Sequence, residues 1–119
     1  MKVKQIIERV TRIRPGAYDD DALLEWIAEA DGQFREWIND NFASGAEVIE
    51  KYNMDTDLIA EAPHDRIYDL YIIAQTDAMN GEDDYNNTAL IYNNAADEWR
   101  KKYHRTHRRK ERTPVSGVW

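Results

Sequence analysis

The sequence predicts a mainly α-helical protein, a small antiparallel bundle of about four helices that ends in a basic C-terminal extension. Three observations predict it. Apolar residues return every three or four positions in four separate stretches, which is the period of one helix face. The breaks between those stretches carry Pro-Gly, Ser-Gly and Asn-Gly pairs and runs of Asp, which stop one helix and start the next. The charge also changes sign near the end of the chain. Residues 1–99 hold 22 Asp and Glu against eight Lys and Arg, whereas residues 100–119 hold eight Lys and Arg against Glu111 alone, within a net charge of −7.

Val3, Ile6, Ile7, Val10 and Ile13 make the first stripe, and Arg14-Pro15-Gly16 ends it, because proline disfavours helical geometry in the residue before it. Asp19, Asp20 and Asp21 stand where carboxylates cap a new helix and complement its dipole. Leu23, Trp26, Ile27, Ala30, Phe34, Trp37 and Ile38 follow as the second stripe, which the 39–45 segment interrupts. Between the second and third helices, two short extended runs flank the Asp-rich turn 54–57, predicting a short β-hairpin over residues 46–61.

Ala62-Pro63-His64-Asp65 opens the third helix, with Pro63 near its first turn. Ile67, Leu70, Tyr71, Ala74, Ala78 and Met79 give its stripe, and Asn80-Gly81 closes it as a glycine C-cap. Tyr85, Ala89, Tyr92, Ala96, Trp99 and Tyr103 are then spaced four and three by turns, a near-heptad seam. The short connection through Gly81 makes the third and fourth helices an antiparallel hairpin. The fourth is expected to run past the body, since nothing apolar follows Tyr103 until Pro114. Residues 1–103 thus form a helical body and 104–119 a basic extension that orders on docking.

At 119 residues the chain is one domain by length, able to bury roughly 60–70% of its unfolded surface. The absence of cysteine excludes a disulfide scaffold, a thiol nucleophile and a cysteine metal site. The longest apolar run, Leu70 to Ala74, is far shorter than the ~20 residues a membrane helix needs. Met1-Lys2-Val3-Lys4-Gln5 has no apolar signal core, so the expectation is a soluble intracellular chain without membrane contact.

No motif points to catalysis, cofactor or metal. His64-Asp65 superficially matches the paired metal ligands of a phosphohydrolase, but no histidine precedes residue 64, so the pair reads as a helix-start cap. His104 and His107 lie three apart among cations, with Glu111 the one nearby carboxylate, a poor zinc site. Asp77 interrupts the third stripe and reads as a residue paired with the fourth helix or facing solvent rather than as a buried acid. An acidic site around Asp55, Asp57, Asp83 and Asp84 is the remaining enzymatic reading, and it has no supporting spacing. There is neither a glycine-rich phosphate loop nor a nucleophile elbow.

The candidate functional residues are therefore partner-binding ones. Arg100, Lys101, Lys102, Arg105, Arg108, Arg109, Lys110 and Arg112 suit an acidic protein surface or nucleic-acid phosphate, or serve solubility alone. Trp119 is either an anchor for a partner's pocket or a dangling residue. Asn86, Asn87, Asn93 and Asn94 flank the aromatic seam, as a polar subunit–subunit face or as a solvated flank.

Three stretches resemble a known family. They are Leu24-Glu25-Trp26-Ile27-Ala28-Glu29-Ala30-Asp31-Gly32; Ala62-Pro63-His64-Asp65-Arg66-Ile67-Tyr68-Asp69-Leu70-Tyr71 with Ala78-Met79-Asn80-Gly81-Glu82; and Tyr85-Asn86-Asn87 with Tyr92-Asn93, Glu98-Trp99 and Tyr103-His104-Arg105-Thr106-His107-Arg108. In order and spacing these are similar to the head–tail connector (adaptor) proteins of tailed phages that infect Gram-positive bacteria. The likeness covers about two thirds of the chain, fits residues 39–61 least well and stops at Arg108. It implies a non-enzymatic virion protein, mostly helical, that joins other copies in a ring beneath the portal and links capsid to tail. Its implied partners are the portal protein, a tail-side completion protein and, in the channel, DNA. Its implied place is the head–tail junction, after assembly in the host cytoplasm. A small helical nucleic-acid-binding or DNA-packaging protein using the basic tail is the alternative.

Overall fold

Val3, Ile6, Ile7 and Val10 turn inward from helix α1 (Val3–Ile13) and meet Leu23, Ile27, Ala30, Phe34 and Ile38 of helix α2 (Asp20–Asn41). Helix α3 (Arg66–Asn80) adds Ile67, Tyr68, Tyr71 and Ile72, and helix α4 (Tyr85–Thr106) adds Tyr92, Ala96 and Trp99. The computed structural model describes residues 1–13, 19–81 and 85–109, with all of their side chains except those of Asn80 and Tyr85. Within them the protein is mainly helical with no strand, a small helical bundle as predicted.

The helix boundaries follow local chemistry. Asp19 caps α2, its side chain accepting a hydrogen bond from the Ala22 backbone N–H at 2.8 Å. Gly81 ends α3 in the left-handed conformation, φ 65°, which costs a residue without a β-carbon little. The α3–α4 hairpin that follows is the most extensively packed helix pair, and α3 also lies against α2 and α1. Helix α4 reaches α2 through rings instead, Phe34 and Trp37 meeting Trp99 at 4.8 and 5.9 Å between centroids. Those large side chains fill the space between the two helices.

The structure corrects several expectations. The hairpin over residues 46–61 does not form, because the backbone there bonds to other parts of the molecule. Val3 and Lys4 donate their N–H groups to the carbonyls of Thr56 and Met54, and Leu58 donates to that of Met1. The loop thus satisfies two of the free N–H groups at the start of α1. What pairing remains is two isolated antiparallel bridges, Lys2 with Asp57 and Phe42 with Arg109. Ile13, Ala78 and Met79 lie in their predicted stripes by period but are exposed. Each sits in the last turn of its helix.

Asp65 is not a side-chain cap either: it is buried, and its carboxylate takes a hydrogen bond from Arg9 of α1 at 2.9 Å. The same guanidinium grips Asp69 through both oxygens, at 2.7 and 2.8 Å. Those bonds and charges raise the Arg9 pKa, the Asp69 hydrogen bond most. The Arg14-Pro15-Gly16 stop, Glu82, Asp83 and Asp84 lie outside the described residues.

Tyr92 supplies one stability prediction. Its hydroxyl is buried and has no hydrogen-bond partner among the described residues, and burial pushes it up to about 12. Tyr92→Phe removes an unsatisfied polar atom and is expected to stabilise the protein by about 1 kcal/mol, read as a rise in Tm. A second prediction concerns alkaline pH. Tyr52 and Tyr68 are also raised, by burial first and then by Asp31. A raised folded-state value means that the fold prefers the neutral hydroxyl. No stability is therefore lost through these three tyrosines below about pH 10, the ordinary tyrosine value. Stability then falls as pH climbs through Tyr92's value of about 12. Unfolding and the ionisation of these three tyrosines should rise together in an alkaline titration; ionisation of Tyr92 near pH 10 with the fold intact, read as the tyrosinate absorbance that Tyr92→Phe lacks, would contradict it.

Candidate interaction surfaces on helices α2 and α4

Helix α4 divides lengthwise. Tyr92, Ala96 and Trp99 are buried, and Tyr103 is half-buried against them. The opposite side begins with Asn86, Asn87, Leu90, Ile91, Asn93 and Asn94, all exposed. Leu90 is 57% exposed and Ile91 52%, an apolar pair bracketed by asparagine. Further along come Asp97 and Glu98, then the exposed cations Lys101, Lys102 and Arg105. One face of one helix thus runs from apolar and amide groups to positive charge.

Of the predicted basic residues, Arg100 turns partly inward. Its guanidinium bonds Asp97 at 3.1 Å and lies 5.3 Å from the Phe34 ring centroid, a cation–π distance. Helix α4 does not run far past the body, since it ends at Thr106, whose hydroxyl donates to the Lys102 carbonyl at 3.0 Å. The chain then turns back. His107 stacks on Tyr103 with ring centroids 3.6 Å apart, and Phe42 presents an edge to Tyr103, His104 and His107. Ala43 donates its N–H to the Arg108 carbonyl at 3.1 Å, and Arg109 reaches the Asn41 side chain at 3.4 Å. Residues 104–109 therefore continue the helical body rather than starting a separate extension. Arg108 and Arg109 are exposed beside the end of α2. Lys110, Arg112 and Trp119 lie outside the described residues.

Helix α2 carries the opposite charge. Seven of its residues are exposed, and all but Gln33 are acidic: Asp20, Asp21, Glu25, Glu29, Glu36 and Asp40. Beside this ridge, Gly32, Arg35, Glu36, Asn39, Val48, Ile49 and Tyr52 line a groove of about 320 Å³. Val48 stands 71% exposed at its edge. A second groove of like size runs beside the basic end of α4, where Trp99, Lys102, Tyr103 and His107 face Ile59 and Glu61.

Sequence reasoning missed the most ordered polar cluster. Asp31 on α2 is wholly buried, and each carboxylate oxygen accepts two hydrogen bonds. One oxygen accepts from Arg35 and the Tyr52 hydroxyl, both at 2.6 Å. The other accepts from the Tyr68 hydroxyl at 2.7 Å and the Ile59 N–H at 2.9 Å. Arg35 in turn donates to the carbonyls of Glu47 and Asp57, and the Tyr68 hydroxyl accepts from Ala60 N–H. The cluster clasps the 42–60 loop onto α2. The signal was present: Asp31 follows Ile27 by four and precedes Phe34 by three, so it stands inside the apolar stripe.

The other candidates dissolve into structure. Asp55 and Asp57 are exposed and paired with Lys4 and Lys2 at 3.2 and 3.1 Å. Asp77 is buried on α3. Among the described residues no three His, Asp or Glu side chains group to hold a metal ion, and no helix is long and apolar enough to cross a membrane. No protein-family profile, curated protein or solved structure matches this chain.

Proposed function

We propose that the protein is a structural virion subunit, a head–tail connector that assembles as a ring under a phage portal and joins capsid to tail without catalysing a reaction. The observation that carries this reading is the outer side of α4, where an exposed apolar pair among asparagines leads to a cationic end. Exposed apolar surface rimmed by polar groups is typical of a protein–protein contact. The three stretches similar to connector proteins, on α2, α3 and α4, add their weight. The ring, the portal and the tail-side completion protein are its partners in this reading, and the head–tail junction its place.

The basic segment, with Trp119, would dock onto the portal or a neighbouring subunit. A cut after Tyr103 would strip Phe42 of both histidines, so the test removes residues 110–119 alone, with Lys110, Arg112 and Trp119 among them. That truncation keeps the Phe42 edge contacts and the 42–43 pairing with 108–109. The expected result is a folded protein that no longer joins particles. Particles of normal infectivity made with it would overturn the reading.

The alternative, nucleic-acid binding through the same segment, is favoured by the exposed cluster of Lys101, Lys102 and Arg105. The acidic ridge of α2 opposes it by repelling phosphate. Light scattering coupled to size exclusion, with and without duplex DNA, separates the two. A DNA complex that weakens steeply with salt would favour phosphate binding. Indifference to DNA favours the connector.

A further inference from the structure

We infer that the subunits meet through one specific contact, in which the outer face of α4 from one copy lies antiparallel along the acidic ridge of α2 from the next. The inference rests on the reading above that copies of the chain meet in one assembly, and it names the two surfaces.

Gly32 points to an approaching partner. It sits in the middle of a 22-residue helix, where glycine is unfavourable. A β-carbon placed on it would meet nothing of this chain within 4 Å. Nothing inside the subunit therefore requires glycine there. Yet Gly32 lines the groove whose edge is Val48, so its bare backbone lets another surface come close.

The chemistry of the two faces is matched. The groove offers Val48 and Ile49 as apolar lining, and Leu90 and Ile91 are the exposed apolar pair of α4. The α2 ridge is acidic at six of its seven exposed positions, and the α4 face ends in Lys101, Lys102 and Arg105. The spacing agrees too. Leu90 and Lys101 are eleven residues apart, as are Gly32 and Asp21, about 17 Å along either helix. With Leu90 over Gly32 in an antiparallel pair, Lys101 comes opposite Asp21. Asp97, the acid nearest this line, is already bonded to Arg100 at 3.1 Å. The two faces lie on different helices of one chain, so the contact is head-to-tail, the type that propagates around a ring.

The chain has no cysteine, which makes cross-linking unambiguous. Full-length Val48→Cys and Leu90→Cys proteins, prepared separately and mixed, are treated with a short bismaleimide. A covalent dimer is expected from the mixture and not from either protein alone. Gly32→Leu is the second arm. A β-carbon there meets nothing within 4 Å, and leucine favours a helix interior over glycine, so the variant's melting temperature should not fall. Sedimentation should show association weakened at least about tenfold, the cost of forcing extra volume into a packed contact. Copies that associate normally in Gly32→Leu and give no mixed cross-link would overturn this contact and leave the ring reading standing. Unsubstituted protein that stays monomeric up to about millimolar concentration would overturn it as well, and the particle assay would then decide the ring reading by itself.

Discussion

Asp31→Ala is expected to destabilise the protein by about 3–5 kcal/mol, enough to unfold much of a marginal domain. The carboxylate is wholly buried and satisfies four donors, from Arg35, Tyr52, Tyr68 and the Ile59 backbone. Removing it leaves a guanidinium that is largely enclosed and without its counter-charge, and an N–H and two hydroxyls without an acceptor. The loss of packing is small by comparison. Asp31→Asn separates the two causes. It keeps one acceptor oxygen and the shape but loses the charge, and should recover part of the stability. Urea unfolding of both variants checks this. An alanine variant as stable as the parent would mean that the cluster exchanges freely with water.

Arg9→Ala is expected to cost about 3–4 kcal/mol, because breaking a buried pair from one side leaves the other charge stranded. Two stranded carboxylates result, those of Asp65 and Asp69, both buried at the start of α3. The contact joins residues about sixty positions apart, so its loss should loosen α1 and α3 together. Arg9→Lys should rescue only in part: an ammonium carries the charge but cannot hold both oxygens of Asp69 while also reaching Asp65. Thermal unfolding of the three proteins gives the order. Arg9→Lys matching the parent would show that charge suffices and fork geometry does not matter.

Both clusters lie where sequence reasoning had least purchase. Helix stripes were legible because the residues that define them are close in sequence and repeat. The seam through Tyr92, Ala96 and Trp99, the Asp19 cap and the Gly81 stop were all read from local pattern. The 46–61 segment was misread as a hairpin because its hydrogen-bond partners, Met1 to Lys4 and Asp31 to Arg35, lie far away along the chain. Asp65 was misread for the same reason: a carboxylate before a helix looks like a cap until a distant arginine claims it. The cationic end of α4 was plain from composition, but the return of residues 107–109 onto Phe42 depends on ring stacking that no spacing rule reports. The acidic ridge became visible only when burial separated the outward carboxylates of α2 from Asp31.

The clasp between Asp31 and the loop also governs how the molecule opens. Ile59 and Ala60 belong to a segment without regular structure, yet their amides are held by the Asp31 carboxylate and the Tyr68 hydroxyl. Freeing either one means parting side chains of α2 and α3. In hydrogen exchange these two loop amides should therefore keep pace with the helices and be released in the same cooperative event, while the exposed outer residues of α4 exchange through local fraying. What looks like a connection in the chain trace thus behaves as part of the slowest-opening unit.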